Sequence, residues 1–262
     1  MHPASIIRKA SKAAVLPLGV ASGRGPADIV ILLYHRIGDG EREIDIPSAA
    51  FERHLGELVG PDRARSLDEV LGSPGGGVVV TFDDGFRDFH DHALPLLVRH
   101  RVPALLYLAT GLVQDGGPPP APDSLSWSQL EEAVATGLVT VGSHTHSHVS
   151  LARATEDRAE EEMRRSKELI EDRLGISCRH FAFPWAVGSP PADRVARGLF
   201  DTVAWDAWRT NRRGRIDRHR LGRTPVLRND GRMFFRAKVR GRLDGERHVY
   251  RALRRGPWRS PP

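Results

Sequence analysis

Apolar runs of strand length alternate with amphipathic runs of helical length along most of this chain. The apolar runs cover residues 29–34, 78–82, 102–109 and 139–143, and the clearest helical runs cover residues 86–100, 126–135 and 155–174. Such alternation is typical of β/α units, in which helices cover a sheet of parallel strands. A chain of 262 residues is long enough for one barrel-sized domain or two small ones. We therefore predict an α/β fold with parallel strands and outer helices.

The composition is that of a folded globular protein. Hydrophobic residues make up 40% of the chain, charged residues make up 27%, and the mean hydropathy is −0.37. Because Cys178 is the only cysteine, a bound metal would need His, Asp or Glu ligands. The longest apolar runs are much shorter than the roughly 20 residues of a transmembrane helix. We therefore predict no transmembrane helix.

The positive charge is concentrated in the last fifth of the chain. Residues 209–262 contain 18 Lys and Arg against 4 Asp and Glu, whereas residues 1–208 contain 21 against 29. Within this part, apolar side chains recur at helical spacing among arginines, at Phe234, Phe235, Val239 and Leu243. The pattern predicts a basic amphipathic helix that either packs on the domain with its arginines outward or lies on an anionic membrane or polymer. No nucleic-acid-binding motif accompanies it.

Two adjacent carboxylates, Asp83 and Asp84, follow the predicted strand 78–82 and precede Gly85. In β/α barrels the active site is built at the carboxyl ends of the strands. Neighbouring side chains on a strand point in opposite directions, so the two acids can take different roles in one site only if the chain turns at once, as Gly85 permits. The alternative is an aspartate that only caps the next helix.

Three histidines, His144, His146 and His148, follow the predicted strand 139–143. Imidazole is a common metal ligand, so the cluster predicts a metal site, with a surface cluster as the alternative. An extended backbone would place all three side chains on one face, whereas a turn would bring His144 and His148 together.

The order of these motifs resembles that of the polysaccharide deacetylases, the NodB-homology or carbohydrate esterase family 4 enzymes. The resemblance rests on Thr81-Phe82-Asp83-Asp84-Gly85 and His144-Thr145-His146-Ser147-His148, and it extends from about residue 28 to about residue 228. Tyr34-His35 near its start is similar to the circularly permuted branch that includes the poly-N-acetylglucosamine deacetylases. The resemblance implies an irregular (β/α) barrel and a metal-dependent hydrolase. Its implied substrate is an N-acetylated amino sugar in a polysaccharide or envelope-glycan precursor.

Carried over residue by residue, the resemblance implies that Asp84, His144 and His148 bind one divalent metal ion. Zinc is the expected ion, with cobalt, nickel or iron as alternatives. The resemblance also implies that Asp83 is the general base that deprotonates water and that His35 protonates the leaving amine. One carboxylate and two imidazoles leave room for water and substrate at the ion, which suits a catalytic metal site.

The third motif, Phe181-Ala182-Phe183-Pro184-Trp185, both matches the family and departs from it. The resemblance implies that the backbone amide of Trp185, directly after Pro184, stabilises the oxyanion. The Trp185 side chain suits a sugar-stacking platform or a packed aromatic residue. Many members orient the base with an arginine in a motif ending Pro-Pro-Tyr-Gly, which this chain lacks. Arg223 resembles an arginine of permuted members that could reach the base or the substrate, and otherwise it is a surface arginine.

The predicted organisation has three parts. They are an N-terminal extension at residues 1–26, a polysaccharide-deacetylase-like catalytic domain at residues 27–230 and a basic C-terminal segment at residues 231–262. The extension resembles a secretory signal only loosely, so we predict a cytoplasmic or membrane-peripheral location, with export as the alternative. Two other functions stay open: hydrolysis of a non-sugar amide or imide on the same fold, and non-catalytic glycan binding.

Overall fold

The structure is a computed structural model that describes residue 25 and residues 28–60, 63–113 and 123–244. The predicted N-terminal extension lies outside the described residues except for residue 25, and so does the C-terminal segment beyond residue 244. Among the described residues, no helix combines the length and the apolar character that crossing a bilayer requires.

Seven parallel strands form a closed barrel. In their order around the barrel they are β1 (Ile29–Tyr34), β4 (Gly77–Phe82), β5 (Ala104–Leu108), β6 (Val139–Ser143), β7 (His180–Ala182), β8 (Thr202–Ala207) and β9 (Leu221–Pro225). The barrel closes where β9 pairs with β1, with Leu32 opposite Thr224. The short strands β2 (Arg36–Ile37) and β3 (Asp45–Ile46) pair beside it. The predicted (β/α) barrel is confirmed.

Helices surround the strands. They are α1 (Ser48–Glu57), α2 (Leu67–Gly72), α3 (Leu94–His100), α4 (Trp127–Ala135), α5 (Glu156–Leu174), α6 (Pro190–Leu199) and α7 (Arg232–Val239). The helix predicted over residues 86–100 begins later, with a π-helical turn over Phe89–Ala93 that leads into α3. Helix α5 begins after Thr155, whose hydroxyl accepts from the amide of Arg158, and ends at Gly175 with a φ of 64°.

Both faces of the strands are buried. On β1, Ile29 and Ile31 belong to one apolar cluster, whereas Val30 and Leu32 belong to the larger cluster that includes apolar residues of the helices. This division follows the two-residue period of a strand, and it explains why the strands read as continuous apolar runs.

Helix α7, within the predicted basic segment, packs against α1 and β1. Phe235 is fully buried, and the ring of His54 stacks on it at a centroid distance of 3.8 Å. The guanidinium groups of Arg232 and Arg236 lie 2.7 Å and 2.8 Å from the carboxylate of Glu57. Lys238, also buried, lies 2.6 Å from Asp230. The apolar side of α7 is therefore part of the core, and several of its cations are paired.

We expect the substitution Phe235→Ala to lower the free energy of unfolding by about 3–5 kcal/mol, because it leaves a cavity beside His54. Chemical denaturation of the full-length protein measures this change. The matched control is Met233→Ala on the same helix, because the Met233 side chain is 58% exposed. Equal effects of the two substitutions would contradict the packing of α7 on the barrel.

Candidate active site

Asp83 and Asp84 share one site because the chain turns as soon as β4 ends. Asp84 has a φ of 74° and Gly85 a φ of 93°, both in the left-handed region. The positive φ at position 85 favours glycine, and a Cβ atom there would also lie only 2.5 Å from Cδ1 of Leu108.

Asp83, directly after β4, is held by Arg223 of β9, and both of these strands pair with β1. The two guanidinium nitrogens donate to the two carboxylate oxygens over 2.6 Å and 2.8 Å, in a bidentate pair. Both side chains are buried, and the guanidinium lies over the ring of Tyr107. Burial by itself raises the pKa of Asp83, but the charge of Arg223 outweighs it, so the pKa lies below its ordinary value. Arg223 is thus a buried residue within β9, and it reaches Asp83.

Asp84, His144 and His148 form a cluster at the same end of the barrel. Their potential ligand atoms all lie within 4.8 Å of one another. Oδ1 of Asp84 lies 3.6 Å from Nε2 of His144 and 3.0 Å from Nε2 of His148. Nδ1 of His144 is 2.7 Å from the carbonyl oxygen of Ala182; a hydrogen bond donated there leaves Nε2 as the nitrogen with a lone pair toward the carboxylate.

The three candidate ligand atoms lie in an arrangement that fits a divalent cation. Burial by itself raises the pKa of Asp84, but the hydrogen bond from His148 and nearby positive charge lower it below its ordinary value. Burial lowers the pKa of His144, which favours the neutral imidazole that a metal requires. The pKa of His148 is raised because its contact with Asp84 outweighs its burial. One carboxylate oxygen and two imidazole nitrogens are ligands that Zn²⁺ and related ions accept.

The loop of residues 144–148, which we call the histidine loop, takes the turned conformation. Thr145 has a φ of 68° and His148 a φ of 50°, and these left-handed residues bring His148 back beside His144. His146 points elsewhere, with its Nδ1 atom 3.0 Å from Oγ1 of Thr110. It is not a member of the cluster.

Glu162, which the sequence analysis did not single out, anchors this loop from α5. Its Oε2 atom accepts hydrogen bonds from the amides of His146 and Ser147 over 3.0 Å and 2.7 Å. Its Oε1 atom accepts from Arg158 over 2.6 Å, and the residue is only 2% exposed. A signal for it was present, since an acid at position 162 interrupts the apolar face that Ala159 and Met163 begin.

The other predicted site residues surround this cluster. His35 follows β1, is half-buried, and lies close enough for its charge to lower the pKa of both Asp83 and Asp84. Pro184 is buried in a 3₁₀ turn, and Trp185 after it has a φ of 54°. The indole is 57% exposed, and its ring centroid lies 4.6 Å from that of His148. The structure therefore brings every predicted site residue to one region.

The fold and the cluster together define a class, the (β/α)-barrel proteins with an acid and histidine centre at the carboxyl ends of the strands. Residues 72–199 match the family model described as polysaccharide deacetylase. These residues make up just under half of the chain, and the match confirms the resemblance to this family that the motifs predict. His35 and Arg223 lie outside the matched residues.

Individual relatives agree with this assignment. YxkH of Bacillus subtilis (strain 168), provisionally named a polysaccharide deacetylase, is 28% identical over 167 residues, which are 61% of this chain and 57% of YxkH. A second relative from the same strain, YlxY, is 23% identical over 118 residues, or 45% of this chain and 31% of YlxY. The matched part of this chain thus spans a little more than half of YxkH and about a third of YlxY.

Solved structures match over more of the chain. IcaB from Ammonifex degensii has a TM-score of 0.71 and 29% identity, covering 84% of this chain and 98% of IcaB. The Streptococcus pyogenes deacetylase PplD, solved with acetate, has a TM-score of 0.71 and 22% identity, covering 82% of this chain and 99% of PplD. At that identity, PplD supports the fold alone.

We expect Arg223→Met to destabilise the protein by about 3–5 kcal/mol, because it leaves the carboxylate of Asp83 buried without its partner. The double variant Arg223→Met/Asp83→Asn should recover part of this loss, since no buried charge then stays unpaired. Unfolding by denaturant measures both, and Arg220→Met is the control.

Arg220 pairs with Asp193 near the surface, so its substitution should cost no more than about 1 kcal/mol. Additive effects of Arg223→Met and Asp83→Asn would show that the two groups are not coupled.

Proposed function

We propose that this protein is a metal-dependent hydrolase that removes acetyl groups from an N-acetylated amino sugar in a polysaccharide or glycan precursor. The observation that carries the proposal is the buried carboxylate of Asp83, held by Arg223 beside a cluster of three side chains that could bind a metal ion. A base beside a candidate metal centre is what hydrolysis of an unactivated amide needs.

Asp84, His144 and His148 would hold the cation, with zinc as the expected ion and cobalt, nickel or iron as alternatives. When bound, a divalent cation supplies Lewis-acid polarisation of the amide carbonyl and increases the acidity of water. Glu162 fixes the loop between His144 and His148, because it accepts hydrogen bonds from two backbone amides of that loop.

Asp83 acts as the general base. It lies 3.7 Å from Nε2 of His144, so it borders the candidate centre without belonging to the donor set. Because both of its oxygens accept from Arg223, the carboxylate stays ionised and fixed in orientation, ready to accept a proton from the attacking water. Arg223 thus takes the orienting role that the third motif leaves vacant.

His35 protonates the amine as it leaves. An amine leaves poorly as an anion, and a protonated imidazole can donate the proton that the amine needs. The location of His35 at the end of β1, close to both aspartates, supports this role.

Trp185 contributes through its backbone and its ring. Its amide, presented by the turn that follows Pro184, donates a hydrogen bond to the oxyanion of the tetrahedral intermediate. Its indole is exposed next to His148, where the flat face of a sugar ring can stack on it.

We expect the purified protein, loaded with zinc or cobalt, to release acetate from N-acetylglucosamine oligomers. A chelator should abolish the release, and Asp83→Asn should lower turnover by a factor on the order of 10² or more while the metal stays bound. Acetate assays and elemental analysis measure these effects. Turnover that survives chelation would overturn the mechanism, and turnover only on non-sugar amides or imides would overturn the substrate class.

A pair of matched variants tests the ligands in the same experiment. His148→Ala should lose the metal, as should Asp84→Ala and His144→Ala, whereas His146→Ala should keep it because His146 lies outside the cluster. Loss of metal from His146→Ala but not from His148→Ala would show the assignment to be wrong.

We expect Glu162→Gln to weaken zinc affinity by about 10–100-fold, because it replaces an acceptor of two loop amides by a weaker one. Competition with a chromogenic chelator measures the affinity without any substrate. Glu161→Gln on the same helix is the control, since Glu161 is exposed and accepts a hydrogen bond from Arg158. Equal affinities of the two variants would remove the positioning role of Glu162.

A further inference from the structure

Tyr107, on β5, lies in the interior of the barrel. It belongs to the apolar cluster that contains Ile29 and Ile31, and the strand residues of this cluster come from six of the seven barrel strands. The ring is fully buried, and Cζ of Arg223 lies over it at 5.2 Å from the ring centroid. A cation over the face of an aromatic ring is attracted to it, and the attraction is stronger where water is excluded. The ring therefore stabilises the guanidinium that binds Asp83.

The ring packs closely against the neighbouring strand. Gly142, on β6, pairs with Tyr107, and a Cβ atom at position 142 would lie 3.1 Å from Cδ1 of the ring and 2.7 Å from the carbonyl oxygen of His180. This close approach leaves the ring no room to move toward β6. The ring is therefore a fixed surface for the guanidinium of Arg223.

The hydroxyl group of Tyr107 does not explain why an aromatic residue lies here. Its Oη atom is buried and has no hydrogen-bond partner among the described residues. An unpaired hydroxyl in the interior is unfavourable, so other contacts of the side chain must offset its cost in free energy. Burial also raises the pKa of the Tyr107 phenol above its ordinary value, so the group stays neutral. The contribution of Tyr107 at this position therefore comes from its ring.

Arg223 needs such a surface because its pair with Asp83 depends on orientation. Both oxygens of Asp83 accept hydrogen bonds only when the planar guanidinium faces them. An arginine side chain has several rotatable bonds, so confining it to one orientation costs conformational entropy. The Tyr107 ring occupies space into which the guanidinium would otherwise tilt, and in this way it favours the bidentate arrangement.

We propose that Tyr107 is a positioning residue for the candidate base, because its ring holds Arg223 in the orientation that engages both oxygens of Asp83. Tyr107 is fully buried, so its effect on the reaction is transmitted by Arg223 and then by Asp83, which accepts the proton of the attacking water. The inference rests on the proposed function, in which Asp83 is the general base.

Turnover tests the proposal. In the zinc-loaded protein, Tyr107→Leu should lower kcat for acetate release by about tenfold, because the base loses its fixed orientation. KM and zinc content should stay unchanged, because the side chain is buried and is not among the candidate ligands. Tyr107→Phe keeps the ring and should restore kcat to within about twofold of that of the unmodified protein. Equal kcat values for Tyr107→Leu and Tyr107→Phe would overturn the proposal.

A control on the same strand separates positioning from general packing. Leu105 lies two residues before Tyr107 on the same face of β5, is only 2% exposed and belongs to the same cluster. Leu105→Ala should lower the midpoint of chemical denaturation at least as much as Tyr107→Leu does, because it leaves a cavity, yet kcat should stay within about twofold of its original value. A fall in kcat as large as that of Tyr107→Leu would show that any loss of interior packing is sufficient, and the positioning role would be wrong.

A double-mutant cycle on unfolding tests the same contact without any substrate. Arg223→Met and Tyr107→Leu together should destabilise the protein by less than the sum of their separate effects, because each removes the same contact. Arg223→Met and Leu105→Ala should be additive. Denaturation followed by circular dichroism measures these effects, and additivity of Arg223→Met with Tyr107→Leu would contradict the proposal.

The two measurements distinguish failure of this inference from failure of the proposed function. If the unmodified protein releases no acetate from any N-acetylated sugar, the proposed function fails, and the cycle alone decides whether Tyr107 holds Arg223. If acetate is released but Tyr107→Leu turns over as fast as the unmodified protein, only the inference about Tyr107 fails. If Tyr107→Leu does not fold, Tyr107→Met replaces it in both measurements, because its longer side chain fills more of the space of the ring, and the same outcomes decide.

Discussion

The buried pair between Asp83 and Arg223 connects the closure of the barrel to the chemistry of the site. It joins the end of β4 to β9, two strands that flank β1, across 140 positions of sequence. Removing two charges from water is costly, and only good geometry offsets that cost. Both oxygens of Asp83 accept from Arg223, so the pair meets this condition only when β9 is in register beside β1. The candidate base is therefore ordered by the same strand that completes the barrel.

A second constraint lies in the backbone around the cluster. Asp84, Thr145, His148 and Trp185 all have positive φ values, which are unfavourable for residues other than glycine. Four such residues within one site show that the surrounding structure holds them in place. The histidine loop is held by Glu162, a buried carboxylate whose Oε2 atom accepts hydrogen bonds from two successive amides. Local strain and a distant anchor together explain how His144 and His148 meet while His146 does not.

The two ends of the barrel have different electrostatic characters. At the carboxyl end, Asp83 and Arg223 neutralise each other. The candidate metal-ligand atoms of Asp84, His144 and His148 lie together beside them. At the amino end, the exposed guanidinium groups of Arg213, Arg215 and Arg218 form no ion pair with a described carboxylate. A parallel barrel makes this division possible, because every strand starts at one end and finishes at the other.

The sequence by itself determined the α/β class, the strands that carry the acids and histidines, and the motifs whose likeness to a family implied the barrel. These features are local: an apolar run, the polar residues directly after it, and the glycine that permits a turn can all be read within ten positions. Helices α2 and α6 were not predicted, since α2 has only six residues and the buried residues of α6 are two alanines, Ala192 and Ala196. Tertiary structure alone decided that Arg223 reaches Asp83, that Glu162 holds the histidine loop and that His146 turns away. It also decided that Phe235 is buried while the arginines near β9 are exposed. Each of these depends on contacts between segments far apart in the chain, and periodicity along one segment carries no information about which distant residue lies opposite it.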